Sequence, residues 1–304
     1  MQNSVELTGV TKAFGRKVAV DRLDLAVPEG SIYGFIGPNG SGKTTTLRLM
    51  LRIFQPDAGR VVVLGSEHGS VADDRLGYLP EERGLYKRMK VISLIEYFAR
   101  LKGFYACHQA AHEWLDRLGA TTWANQRVET LSKGMAQKVQ FIVAVIARPR
   151  LLILDEPFAG LDPVNLDLLQ EAVLTLREHG TTVVFSTHDM NIAERMCDTV
   201  LMIFQGQKVL DGSLSAIKRN YPVNRVRVRM ADGADLPADL TGITSASLVA
   251  GFHVLGLAYG CEPQAILRQL AACRIMEHFE VVRPTLHDIF VDIARPQEQE
   301  REPV

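Results

Sequence analysis

No apolar run in the chain approaches the ~18–20 residues that carry a helix across a bilayer. The longest such stretch inside an expected helix, Phe141 to Ala147, is far too short. Cysteine is sparse: Cys107, Cys197, Cys261 and Cys273 are widely scattered with no C-x-x-C pair, so neither a zinc site nor a disulfide framework is indicated. Charge of one sign is also missing. Lys plus Arg number 34 against 35 for Asp plus Glu, a formal charge of −1. That balance exerts no overall pull on nucleic acid or anionic lipid, although it leaves room for a local patch. The opening Met1-Gln2-Asn3-Ser4-Val5-Glu6 lacks the basic and apolar regions of a signal peptide. What remains is an ordinary globular composition, 47% hydrophobic and 23% charged, over 304 residues. At ~100–200 residues per domain, two domains are expected in a soluble, cytosolic chain.

The chain is organised around Gly37-Pro38-Asn39-Gly40-Ser41-Gly42-Lys43-Thr44, a G-x-x-x-x-G-K-[ST] phosphate loop. Ile32 to Ile36 before it are apolar and β-prone, and Lys43 to Phe54 after it carry no Gly or Pro, so strand, loop and helix follow in the order the motif needs. Three glycines let successive N–H groups turn inward on phosphate oxygens, and the helix N-terminus adds its partial positive charge. Lys43 would reach the β- and γ-phosphates and the Thr44 hydroxyl would ligate Mg²⁺, with the adjoining Thr45 also counted among the nucleotide-binding residues. A Gly-rich turn that merely precedes a lysine is the competing reading, and the strand and helix on either side weigh against it.

Coarse structure follows from periodicity. The opening reads as strands around a turn at Phe14-Gly15-Arg16-Lys17, and Val61 to Leu64 and Arg75 to Leu79 read as further strands. From about Leu85 to Arg148 the pattern becomes helical: Val91 to Leu101, His112 to Leu118, and Lys133 to Ala147 ahead of Pro149. Leu151 to Leu154 and Thr182 to Phe185 read as central parallel strands joined through a helix from Val164 to Glu178. Right-handed crossovers place all these strands in one sheet, with Asp155, Glu156 and His188 converging on the edge that carries the phosphate loop. Val200 to Phe204 and Lys208 to Leu210 form a closing hairpin.

A boundary falls near Asn220-Tyr221-Pro222. Beyond it Arg225, Arg227 and Arg229 alternate with Val226, Val228 and Met230. Without interleaved aromatics this reads as a solvated strand face rather than a nucleic-acid strip. Asp232-Gly233 reads as a turn, Ser247 to Tyr259 partly alternates, Gln264 to Cys273 looks helical, and Leu286, Ile289, Phe290 and Ile293 mark a final helix before a polar end from Gln297.

Leu151 to Leu154 deliver two acids to the sheet edge. Asp155 suits a Mg²⁺ shell and Glu156 can orient and deprotonate the water that attacks a γ-phosphate. Adjacent acids at a strand end also occur simply as a helix N-cap, a reading the upstream phosphate loop disfavours. Three further motifs then occur in order. Leu131-Ser132-Lys133-Gly134-Met135 is similar to the L-S-G-G-Q signature of ABC (ATP-binding cassette) transporter ATPases, Ala159-Gly160-Leu161-Asp162 resembles their D-loop, and His188 in Ser186-Thr187-His188-Asp189 sits at their switch histidine. The resemblance covers about residues 1–215. The remainder, including Pro284-Thr285-Leu286-His287-Asp288-Ile289-Phe290, is more loosely similar to the extension carried by ATPase subunits of ABC-2-type export systems.

The resemblance implies an α/β P-loop NTPase core, residues 1–218, with an inserted helical subdomain at about 85–148, and a small α+β accessory or regulatory extension, 219–304. It implies an ATP- and Mg²⁺-dependent hydrolase working as a homodimer across two ATP molecules, with Ser132 and Gly134 of the signature facing the partner's nucleotide and Asp162 of the D-loop among the nucleotide-binding residues. Phe14 falls where an aromatic stacks on adenine, although an aromatic beside a turn also serves as core filler. Driving export through a separate ABC-2-type permease implies a cytoplasmic protein held at the inner face of the cell membrane. No nucleic acid is expected. The rival class, a non-transport ABC ATPase acting on DNA repair or the ribosome, generally has two cassettes or long coiled coils, and neither is visible. A P-loop GTPase lacks support because no N-K-x-D motif occurs, and Glu156 disfavours a module that only holds ATP.

Departures from the family pattern concern coupling. Glu81 stands where a glutamine is usual; a carboxylate can hold Mg²⁺ or its water but donates no hydrogen bond unless protonated. Lys133 replaces the signature's first glycine and Met135 its glutamine.

Overall fold

The computed structural model describes residues 2–67, 73–82, 84–221, 225–231, 235–237, 239–273 and 276–299. The chain divides into two units, Met1–Leu214 and Ser215–Val304.

In the first unit, β1 (Asn3–Phe14) and β2 (Lys17–Pro28) form a hairpin, followed by β3 (Ile32–Ile36) and α1 (Lys43–Met50). The helix is shorter than the uninterrupted Lys43 to Phe54 run predicts. Arg52 takes a left-handed φ of 57° and ends it before Pro56. Then come β4 (Ala58–Val63), β5 (Leu76–Leu79), and the helices α2 (Val91–Leu101), α3 (His108–Arg117) and α4 (Lys133–Val145). The chain continues through β6 (Leu151–Leu154), α5 (Pro163–Glu178), β7 (Thr182–Thr187), α6 (Met190–Met196), β8 (Thr199–Phe204) and β9 (Gln207–Ser213).

The strands do not share one sheet. Six of them run β5-β6-β7-β3-β8-β9, parallel except for β9, while β2-β1-β4 make a separate antiparallel sheet. The Val61 strand therefore pairs with β1 rather than joining the parallel set. Its burial pattern explains why: Val61 and Val63 are buried and Val62 only half-buried, the alternation of a sheet with one covered face. Val5, Leu7 and Leu25 from the small sheet, Phe35 and Leu201 from the large one, and Leu47 and Met50 from α1 form one buried cluster. That cluster holds the phosphate loop between two sheets. The strands β5 and β6 are parallel neighbours, so α2, α3 and α4 make up an expanded crossover between them.

The second unit opens in α7 (Leu214–Asn220), followed by β10 (Arg225–Met230), β11 (Ile243–Val249), β12 (Phe252–Leu257), α8 (Pro263–Cys273), β13 (Met276–Val282) and α9 (Leu286–Gln299). Its antiparallel sheet runs β11-β12-β10-β13. Val226, Val228, Met230, Leu255 and Leu257 pack with Ile266 and Leu270 of α8. The partly alternating Ser247 to Tyr259 stretch is two strands, since Ala250 and Gly251 both take positive φ and turn the chain back. The Asp232-Gly233 turn and Pro222 lie outside the described residues, as does the end of the polar tail from residue 300.

Candidate functional site

The site begins with fully buried β3, which ends at Ile36 and leads directly into Gly37. Two glycines are required there by close approach. A Cβ on Gly37 would stand 2.2 Å from the Ile203 carbonyl oxygen, and one on Gly42, at φ 117°, would stand 2.4 Å from that of Ala19. No side chain caps α1 and no acid occupies its first turn, so the positive end of the helix faces the loop without internal competition. Lys43 is buried and donates from Nζ to the carbonyl oxygens of Gly37 (2.8 Å) and Pro38 (3.3 Å), while Ser41 donates its N–H to Pro38. The Ser41 hydroxyl is buried with no hydrogen-bond partner among the described residues. A cavity of about 470 Å³ lies over this loop, lined among others by Phe14, Asn39, Gly40, Thr44, Thr45, Glu81 and Glu156. Phe14 is exposed at its rim and meets Phe54 edge-on at 5.3 Å.

The ends of β6 and β7 bring the polar groups together. Ser186 donates its hydroxyl to Asp155 Oδ1 at 2.6 Å and accepts the Glu156 N–H at 2.9 Å. Thr44 donates to the same Asp155 oxygen at 3.2 Å. Glu156 adopts φ 48°, unusual for a residue with a Cβ and a mark of local constraint. One of its carboxylate oxygens lies 3.5 Å from Lys43 Nζ and the other 3.0 Å from His188 Nδ1. The phosphate-loop lysine, both acids and His188 thus meet at one sheet edge. Asp155 Oδ2 is buried without a hydrogen-bond donor among the described residues, which leaves its lone pairs free for an incoming cation, whereas Glu156 Oε1, also without a hydrogen bond, is the oxygen that faces the Lys43 ammonium at 3.5 Å.

The remaining candidates lie elsewhere. Ser132 caps α4 by accepting the Met135 N–H (3.3 Å), and Gly134 lies beside Leu161. Asp162 caps α5 by accepting the Asn165 N–H (3.1 Å). That bond, then the Asn165 side-chain amide, holds its carboxyl below the usual range. None of the three lines the cavity over the phosphate loop. Lys133 and Ala159 line a smaller hollow, about 150 Å³, behind Glu81 and Glu156.

Three residues had no role assigned from the sequence. Ser186, quoted only as the start of the switch-histidine stretch, is one. The others are Gln137 and Gln140, buried on α4: Gln137 donates to the Pro157 carbonyl, immediately after Glu156, and Gln140 to those of Glu82 (3.3 Å) and Pro80 (3.5 Å), on either side of Glu81. Their i, i+3 spacing puts both on one helix face, and an uncharged polar residue within an apolar helix pattern could have drawn attention to them.

Comparison with known proteins agrees with this geometry. Residues 20–159 match the ABC transporter family, and residues 212–294 match the DrrA1-3-like ATP-binding protein C-terminal domain. The chain is 41% identical over 286 residues to the uncharacterized ABC transporter ATP-binding protein YhaQ of Bacillus subtilis, covering 93% of this chain and 96% of that one. It is 31% identical to the Nod factor export ATP-binding protein I of Paraburkholderia xenovorans, over 98% and 99% of the two chains. It is 30% identical to the daunorubicin/doxorubicin resistance ATP-binding protein DrrA of Streptomyces peucetius, over 82% and 77%. Among solved structures, an ATP-binding subunit of an ABC transporter matches with a TM-score of 0.64 at 27% identity, over 71% of this chain and 92% of that one. Phosphate loop, paired acids and sequence kinship point the same way: the chain belongs to the family of ABC transporter ATP-binding proteins.

Proposed function

We propose that the chain is the ATP-hydrolysing subunit of an export system. The observation that carries this reading is the meeting of Lys43, Asp155, Glu156 and His188 beside the phosphate loop. In it, Lys43 exchanges the loop carbonyls it now grips for the β- and γ-phosphates. Glu156 takes a proton from the attacking water, and His188 holds the opposite carboxylate oxygen and senses the γ-phosphate. Thr44 and Asp155 would hold Mg²⁺; their hard oxygen donors and the undonated Asp155 Oδ2 fit that ion, and Glu81, which lines the same cavity as Thr44, would hold one of its waters. The ion supplies charge neutralisation on the phosphates when bound.

Ser132, Gly134 and Asp162 stand outside the chain's own phosphate cavity, which supports a homodimer in which each copy closes on the other's ATP. No helix among the described residues is long and apolar enough to cross a membrane. In this reading the substrate path belongs to a separate ABC-2-type permease, with this subunit on its cytoplasmic side. The export direction is supported by relatives whose names state Nod factor export and drug resistance. In this reading residues 1–218 form the ATPase domain and 219–304 an accessory extension. The test is Glu156→Gln: ATP binding retained, turnover arrested and dimers accumulated, read by nucleotide titration, phosphate release and size-exclusion chromatography. Hydrolysis at the native rate refutes the assigned base.

A further inference from the structure

The first unit carries a further cleft, about 600 Å³, on the sheet edge opposite the phosphate loop. Pro149 and Arg150, just before β6, form its floor with Gly180 and Thr181, just before β7; α3 and the ends of α4 and α5 form its walls. Asp155 and His188 follow the far ends of those same strands, so the two hollows lie at opposite ends of β6 and β7.

Its charge departs from that of the chain. Arg117, Arg148 and Arg150 line it against a single acid, Glu113, whereas the whole chain has a formal charge of −1. Among the described residues neither Arg117 nor Arg148 is paired with a carboxylate. Arg117 donates to the Thr175 hydroxyl and sits 5.3 Å from the Trp114 ring centre, and Arg148 sits 5.8 Å from that of Phe104. Arg150 pairs with Glu29 at 3.2 Å, an exposed contact that a more highly charged group can displace. Arg148, three residues beyond the end of α4, takes φ 54°, a conformation in which glycine costs least, yet the residue there is an arginine.

Low-dielectric walls focus the potential of such a cleft. Planar guanidinium groups bind phosphate through paired N–H donors. The volume falls within the ~300–1,000 Å³ of small-molecule sites. We propose that this cleft binds a compact phosphoryl anion, gripped by Arg117 and Arg148 with Arg150 at its rim and Trp114 as its wall. The same phosphoryl chemistry is offered by a free phosphorylated metabolite and by a phosphomonoester lipid headgroup.

Trp114 is one of two tryptophans in the chain, which makes a direct test possible. The full chain carrying Trp123→Phe, leaving Trp114 as the single indole, is titrated with inorganic pyrophosphate without Mg²⁺. A saturable change in Trp114 emission is expected, unaltered by Lys43→Ala and weakened about tenfold or more by Arg117→Gln or Arg148→Gln, the loss of one charge-assisted contact. A parallel arm uses vesicles of phosphatidylcholine and phosphatidic acid in equal parts against phosphatidylcholine alone. A response to those vesicles but not to pyrophosphate, lost in the arginine variants, identifies the headgroup as the source. Should Trp123→Phe disturb folding, calorimetric titration of pyrophosphate into the otherwise native chain and into the Arg117→Gln/Arg148→Gln double variant gives the same comparison. Binding that survives both arginine substitutions but vanishes with Lys43→Ala belongs to the phosphate loop and overturns the proposal, as does the absence of any response to pyrophosphate and to the vesicles.

Discussion

One hydroxyl, that of Ser186, touches both acids of the site: it donates to Asp155 and accepts the Glu156 N–H. Removing it strips a donor from a carboxylate that already has one oxygen without a partner, and leaves the N–H of a residue at positive φ unheld. Ser186→Ala is therefore expected to cost about 1–3 kcal/mol. At roughly 2–4 °C per kcal/mol for a unit of this size, calorimetry should show a clear fall in Tm. Hydrolysis should fall further than ATP affinity does, because the hydroxyl fixes the acids rather than the phosphate loop. An unchanged Tm would show that the hydroxyl bears no such load. At this scale the motif residues were legible because their chemistry dictates their spacing. The role of Ser186 was not, although it opens the switch-histidine stretch, because its partners are 30 and 31 residues away.

Among the elements, α4 connects the most parts of the site. Its N-terminus carries Ser132, and its buried face carries Gln137 and Gln140, whose amides hold the backbone after Glu156 and around Glu81. A shift of this helix would thus be felt at both acidic loops at once. Gln140→Leu keeps the volume and the helix propensity but releases the Pro80 and Glu82 carbonyls. The expected outcome is a reduced turnover number with nearly native nucleotide affinity and far-ultraviolet circular dichroism; loss of affinity equal to the loss of turnover would contradict a positioning role. The helix itself was readable from its apolar spacing. Its job was not, because the partners are carbonyl groups, and backbone acceptors carry no sequence signature. The same limit hid the two-sheet arrangement: Val61 to Leu64 is apolar enough for a central strand, and only pairing with β1 distinguishes the two placements. The β11–β12 hairpin was missed for a related reason. The stretch alternates only in part and was read as one piece, and the turn lies in the positive φ values of Ala250 and Gly251.

Taken as a whole molecule, the chain has a buried cluster in each unit, one around Phe35 and Leu47 and the other around Val228 and Ile266. A protein ending at Asn220 retains every residue of the phosphate loop and the acid edge. It is expected to fold cooperatively and bind ATP as tightly as the full chain, which equilibrium titration checks; loss of binding would make the extension part of the nucleotide site. The composition and motifs announced the P-loop core and a small appended α+β unit, because those depend on local patterns. How many copies work together depends on surfaces, and there the decisive feature is that Ser132, Gly134 and Asp162 stand apart from the cavity over Lys43. The most direct measurement is specific ATPase activity against protein concentration at saturating Mg²⁺ and ATP. Activity that rises with concentration until a dimer is populated agrees with pockets completed by a second copy, whereas full activity at every dilution from a species that sediments as a monomer contradicts it.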